Sequence, residues 1–308
     1  MHRSIEIAAP APQIESLVIA LKDHPLVINV VRIRGAAIKP AGDALQLEVL
    51  NRGADDVMKM IKQYVIGSNY TVITGEVSSM NNPALQHKIN DDVDEAIWEE
   101  LETGLRHNGC ITPNFLLLMG LAGVIASIGY VSFLQMQVGA FIAASIIAPG
   151  LEPIAKLPLG IMMGKKEIFF KGLRATLVGY AVLMGAAAGT FALLNGIGEV
   201  DSANFLENEV TQSLLHIKVA DVMMSVAAAA AAIIMYLSYR RHVIAGPLIA
   251  LILIPATTAI AMFAVLGKWQ EVWNVLGKSA VEIAVIIVVG CLLIWTKQKW
   301  VHRRKPIS

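Results

Sequence analysis

The chain has 308 residues, 56% of them hydrophobic, with a mean hydropathy of +0.60 and a formal net charge of +1. Near-neutral charge argues against a nucleic-acid partner, and two cysteines, Cys110 and Cys291, make neither a disulfide framework nor a metal site. The averages hide a division: residues 1–112 carry 10 Lys/Arg against 15 Asp/Glu and read as a soluble domain, whereas 113–308 carry 15 against 9 and read as membrane.

The first residues contain no uninterrupted apolar stretch, so no cleavable signal is expected. Residues 3–77 predict the order β-α-β-β-α-β. Ser4 to Ala8 alternates as a strand, and Ile14, Leu17, Val18 and Leu21 recur at helical spacing. Residues 27–33 are rich in β-branched side chains and 45–50 alternate, with a Gly/Pro/Asp turn region between them. Val57, Met58, Ile61 and Val65 repeat the helical period, and 70–77 closes as a last strand. This order is that of a ferredoxin-like α+β domain over 1–85. Such a domain either regulates and assembles or simply packs, because no glycine-rich phosphate loop or metal cluster marks it.

Residues 86–112 read as a linker with one amphipathic helix over 91–107. Asp91, Asp92, Asp94 and Glu95 are expected in its first turns, where the helix dipole favours acids. Ile97, Trp98, Leu101 and Leu105 form its apolar stripe.

Residues 113–308 divide into six apolar segments, at about 115–134, 138–164, 173–195, 217–238, 243–266 and 279–296, each near the length that crosses a bilayer. Lys165, Lys166, Lys171, Arg174, Arg240, Arg241, Lys297, Lys299, Arg303, Arg304 and Lys305 fall in loops or ends on one side, against Lys268 and Lys278 on the other. The long 196–213 connection is acidic. By the positive-inside rule both termini face the cytoplasm of a cell inner (plasma) membrane.

The second span is unusual. It holds Pro149, Pro153 and Pro158 together with Glu152 and Lys156. Proline breaks helices, irregular backbone at membrane depth survives only inside protein or beside water, and each charge there costs about 2.5–3.5 kcal/mol on insertion scales. Spans two and five also resemble each other, running through small and aliphatic residues to Pro149 or Pro255 and ending on Gly164-Lys165 or Gly267-Lys268. Each is the middle span of three, so the two triplets form either a 3+3 inverted repeat with broken middle spans or a chance likeness of two apolar segments.

Glu152 and Lys156, spaced i, i+4, are expected to pair on one helical face, either as a structural ion pair or as part of a site. Around them Ser145, Pro149, Gly150, Pro255, Thr257 and Thr258 are the candidate pathway residues: hydroxyls, a carboxylate and carbonyls freed by proline suit a cation or proton, while Lys156 would favour an anion. Asp221 near Lys218, and Glu282 near Lys278, lie near the outer ends of their spans, where interfacial placement explains them; they are kept as secondary pathway candidates. Gly185-x-x-x-Gly189 and Gly160-x-x-x-Gly164 permit close helix contact.

The blocks TPNFLLLMGLAGVIASIG, VGAFIAASIIAPGLEPI, GKKEIFFKGLRATLVG and LIALILIPATTAIAM resemble the uncharacterised hydrophobic domain family of bacteria and archaea, domain-of-unknown-function family 389. The ferredoxin-like N-terminal region is similar to that of many members. Where many relatives have methionine-glycine-proline this chain has Leu151-Glu152-Pro153, so the resemblance carries over no activity and no site for Glu152. The reading from the residues is a membrane transporter or channel for a small solute or ion, with a cytoplasmic regulatory or oligomerisation domain. The alternative is a membrane-anchored sensor or scaffold. No zinc-protease, nucleophile-elbow or Walker motif points to an enzyme. No cofactor or metal is called for, and the expected partners are membrane lipid, the solute and further copies of the chain.

Overall fold

The computed structural model describes residues 2–93, 97–107, 109–132, 134–200, 202–238 and 245–300. The chain divides into two compact units, one built by residues up to 102 with short pieces from further along, the other by most of 103–297. Asp94, Glu95, Arg240, Arg241, Arg303, Arg304, Lys305 and the first residues of the expected fifth span lie outside the described residues, as does the side chain of Leu105.

The first unit is a mixed α/β domain. Its elements are β1 (His2–Ala9), α1 (Ala11–Leu21), β2 (Val27–Ile38), β3 (Ala41–Val49), α2 (Asn51–Tyr64) and β4 (Thr71–Val77). The strands form one antiparallel sheet in the order β2-β3-β1-β4, with Ile5 opposite Leu47 and Thr74. Alternation drives the packing: Ile5, Ile7, Leu45, Leu47 and Val49 turn to one face and meet Ile14, Leu17 and Leu21 of α1 and Val57, Met58 and Ile61 of α2. Val31, Ile33 and Ile73 stay exposed on the other. At the β2–β3 end Gly35 takes φ +63°, a left-handed conformation suited to glycine. Its N–H donates to Asp43 Oδ1 at 2.9 Å, and Arg32 Nε donates to Oδ2 at 2.8 Å. The Gly35 amide, with the Arg32 guanidinium, holds the Asp43 carboxyl below the usual carboxylate range.

The single helix expected over 91–107 is corrected. A short α3 (Gln86–Asn90) ends before Asp91, and α4 (Trp98–His107) begins after it. Asp92 is committed elsewhere: it accepts the backbone N–H of Asn51 at 2.7 Å and of Arg52 at 3.3 Å, and lies 2.9 Å from His2 Nδ1. It therefore caps α2, whose own N-cap residue, Leu50, has no side-chain acceptor. The start of α4 is held to the domain by fully buried Trp98 and by an Arg3–Glu100 ion pair of 2.6 Å.

The second unit is helical. Its elements are α5 (Pro113–Tyr130), α6 (Leu134–Ile147), α7 (Leu151–Met162), α8 (Lys166–Gly196), α9 (Ser202–Glu207), α10 (Glu209–Leu214), α11 (Val219–Leu237), α12 (Ala245–Val265) and α13 (Trp269–Trp300). Among the described residues four of these, α5, α8, α11 and α13, are long and apolar enough to cross a membrane, and α6 with α7 meets the same measure only as a pair bent by 53°, a broken span or a re-entrant loop. Over its described side chains, Ala250–Val265, α12 counts among the shorter apolar helices. Thr112 starts α5 by accepting the Phe115 N–H at 3.2 Å, with Pro113 at the first helical position where no donor is lost.

Of the two spans expected to be broken, only the second is. Pro255 lies inside an uninterrupted α12. Hydroxyls bond the backbone around it: the Thr257 hydroxyl donates to Leu253 O at 2.8 Å or Ile254 O at 3.1 Å, and Tyr130 Oη donates to Pro255 O at 2.9 Å. Hydroxyls and neighbouring helices make proline tolerable in a span. At Pro149 a glycine follows, and Gly150 N–H turns back to Ala148 O at 2.8 Å, so the helix stops and restarts.

The acidic 196–213 connection is not simply a solvated loop. It folds into α9 and α10 and sends Phe205 into the core, 5.1 Å from Phe263 and 5.5 Å from Tyr130 between ring centroids. Close packing of α5 on α8 uses Gly123, where a Cβ would strike the Leu183 carbonyl, and Gly179, which sits against the Phe115 ring. Gly185 and Gly189 meet nothing within 4 Å, because they turn away from that contact.

Candidate functional site

The break between α6 and α7 gathers polar groups from four elements. Gly109, at φ +59°, crosses the first turn of α7 so closely that a Cβ would lie 2.8 Å from both Glu152 Cβ and Pro153 Cδ. Its carbonyl accepts a hydrogen bond from Lys156 Nζ at 3.2 Å, and the same ammonium lies 3.8 Å from Cys110 Sγ. Lys156 is 1% exposed. Its stem runs beside Gly172 of α8, where a side chain would also meet Pro153 O at 2.7 Å.

The expected Glu152–Lys156 ion pair is therefore not formed among the described residues. Both side chains leave one helix, but the ammonium bends toward the backbone carbonyl of Gly109. Glu152 Oε2 is buried and accepts no hydrogen bond among the described residues.

Tyr180 Oη, reaching in from α8, is likewise buried without a hydrogen-bond partner among the described residues. It sits beside the break: a Cβ on Gly150 would lie 3.1 Å from it and 3.8 Å from Ala250 Cβ of α12. Tyr236 of α11 is within electrostatic reach of Glu152. An unpartnered carboxylate oxygen and an unpartnered phenol together offer acceptors and one donor, a set that suits a cation, a proton or a small polar solute.

The other expected residues divide. Ser145 is buried and its hydroxyl donates to Phe141 O at 2.7 Å within α6. Thr257 is spent on backbone carbonyls, as above. Thr258 is fully buried with an unpartnered Oγ1. α12, which carries Pro255, packs against both α6 and α7, the two helices that flank the break at Pro149. Among the described residues neither threonine bonds to Glu152.

Asp221 and Glu282 belong to a separate cluster. Lys278 Nζ donates to Asp221 Oδ2 at 2.7 Å, to Ser213 O at 3.0 Å and to His216 O at 3.5 Å. Lys218, the neighbour expected for Asp221, contributes its backbone N–H at 3.4 Å. Glu282 is 6% exposed, and its Oε2 has no hydrogen-bond partner. Among the described residues no three His, Cys, Asp or Glu side chains gather as metal ligands.

Reading from sequence missed Tyr180, Tyr236 and the Gly109–Cys110 segment. Tyr180 carried a usable signal: it is the one tyrosine of α8, on a helix whose buried face otherwise runs through Gly172, Ala175, Gly179 and Leu183. Gly109 carried none, because its role lies in a contact with a helix more than forty residues away.

Neither a curated protein nor a solved structure matches the chain. A family model does match part of it, from Ser145 in α6 to Val288 in α13, and so takes in the break, α12 and Glu282. Residues 145–288 thus match the domain of unknown function DUF389, the family that the apolar blocks of the sequence resemble.

Proposed function

We propose that the chain is a six-span membrane transporter or channel for a small solute or ion, with no enzymatic activity of its own. The observation that carries this reading is the interrupted second span, where Glu152 Oε2 and Tyr180 Oη are buried and unpartnered beside Gly150. Unsatisfied polar groups at a helix break inside an apolar unit are costly to maintain as packing alone. At 21 residues α12 reaches roughly 32 Å at 1.5 Å per residue, which is the thickness of the hydrocarbon core and supports counting it as the fifth of six spans. The two proline-bearing middle spans pack together, which supports a 3+3 inverted repeat despite the unbroken α12. The excess of Lys and Arg on one side supports a cell inner membrane location with both termini cytoplasmic. We read the N-terminal unit as a ferredoxin-like domain that regulates or oligomerises the membrane part.

The test is solute and ion flux in proteoliposomes. Glu152→Gln and Lys156→Met are expected to change flux several-fold while the protein stays folded and monodisperse. Equal flux from both variants, the parent and empty vesicles over a broad ion panel overturns the reading.

One observation favours the alternative of a sensor or scaffold. The open face of the sheet carries a groove of about 220 Å³, floored by Ala8 and Ala44, walled by Ile33 and Ile73, with Glu6 and Gln46 beside them. A membrane protein without permeability whose soluble unit is stabilised by a small ligand in this groove would be that sensor.

A further inference from the structure

We propose that Glu282, on α13, is a proton-binding carboxyl that is held neutral in the folded chain, at a site separate from the α6–α7 break. The argument begins with donor counting. An ammonium has three hydrogens to donate, and Lys278 finds three acceptors in Asp221 Oδ2, Ser213 O and His216 O. Lys278 is itself 5% exposed, so no water competes for a fourth bond. Its charge is already balanced by Asp221 at 2.7 Å. The lysine one turn away from Glu282 therefore has neither a hydrogen nor an uncompensated charge to offer it.

Glu282 sits in the inward stripe of α13, between Val275, Lys278 and Ser279 on one side and Ile286, Gly290 and Ile294 on the other. It is 6% exposed. Among the described residues its Oε2 has no hydrogen-bond partner, and neither has the Ser279 hydroxyl, three residues earlier on the same face and also 6% exposed. The charged groups that act on it are Lys278 on its own helix and Asp221 on α11. These two carry opposite charges and are paired with each other at 2.7 Å. An ionised Glu282 would thus be an isolated negative charge in an apolar unit, which proteins avoid by neutralisation. A proton supplies that neutrality and turns Oε2 into a donor facing the same stripe as Ser279 Oγ.

This assignment concerns a different helix from the proposed pathway and stands whether or not the chain moves a solute. It is tested on the full-length protein in lipid nanodiscs with dicyclohexylcarbodiimide, which adds to protonated carboxyls in apolar surroundings, each residue being read by peptide mass spectrometry. Glu282 is expected to label at neutral pH, with labelling falling as pH is raised. Replacing choline chloride with sodium or lithium chloride should leave labelling unchanged. Asp221→Asn leaves Lys278 with Glu282 as its remaining counter-charge, so labelling at neutral pH is expected to drop several-fold in that variant. Absence of adduct at Glu282, labelling independent of pH, or labelling unchanged by Asp221→Asn overturns the proposal. Strong protection by sodium or lithium overturns it in favour of a metal-cation site.

Discussion

Lys156 reaches past Glu152, one turn before it on the same helix, to bond the Gly109 carbonyl at 3.2 Å. The acid left behind has a buried oxygen with no partner. Charge spacing along a helix and charge pairing in the fold have come apart here, and the difference separates a tether from a candidate site.

The tether predicts a loss of stability. A hydrogen bond from a charged donor contributes about 1.5–3 kcal/mol, so Lys156→Met should lower the thermal unfolding midpoint by several degrees in detergent. Glu152→Gln removes a buried charge that no hydrogen bond satisfies at Oε2, and should leave the midpoint unchanged or raise it. Thermal shift measured by intrinsic fluorescence checks both, and opposite signs for the two residues are the expected result.

Gly109→Ala should be worse than either. The new methyl would meet Glu152 and Pro153 at 2.8 Å, in a backbone conformation with φ +59°. Steric overlap and left-handed strain each cost about 1–3 kcal/mol. The expected outcome is a sharp fall in monodisperse protein on size exclusion, with Gly172→Ala showing a similar fall for the same reason on the α8 side.

Because α12 runs unbroken through Pro255, that proline should be dispensable. Pro255→Ala restores a backbone donor and is expected to change stability by less than about 1 kcal/mol, and to leave any flux intact. Tyr130→Phe, which removes the hydroxyl bonded to Pro255 O, should cost about 1 kcal/mol. Chemical denaturation in mixed micelles measures both. A collapse of the protein on Pro255→Ala would show that the residue shapes the helix after all.

The soluble unit has an acid-sensitive end. The Asp43 carboxyl is held below its ordinary range by the Gly35 amide and by Arg32. A depressed carboxyl stabilises the fold fully above its unfolded value, about 3.9, and that contribution is lost as pH falls from there through the folded value. Hydrogen exchange at the β2–β3 end should therefore quicken below about pH 4 more in the parent than in Asp43→Asn. The variant should already exchange faster at neutral pH, and parallel profiles would contradict the assignment.

Asp92→Ala removes the acceptor for two α2 amides and the partner of His2. Loss of such a cap costs about 0.5–2 kcal/mol, and exchange protection should fall at the first turn of α2 while β4 is unaffected.

The residue pattern by itself determined the soluble-to-membrane division, the order of strands and helices in the first unit, and the interruption at Pro149. Each follows from short-range physics: alternation of two, a period of 3.6, the bulk transfer cost of apolar runs, and the missing donor of a proline next to a glycine. Three things were decided only by the assembled chain. Lys156 chose Gly109, Asp92 chose the N-terminus of α2, and Lys278 chose Asp221 and two carbonyls. Long polar side chains reach about one helical turn in any direction, so sequence spacing narrows their partners to a shell, and burial selects within it. Pro255 makes the same point in reverse: its local rule predicts a break, yet the helix runs through it uninterrupted, packed where Tyr130, 125 residues away, donates to the Pro255 carbonyl.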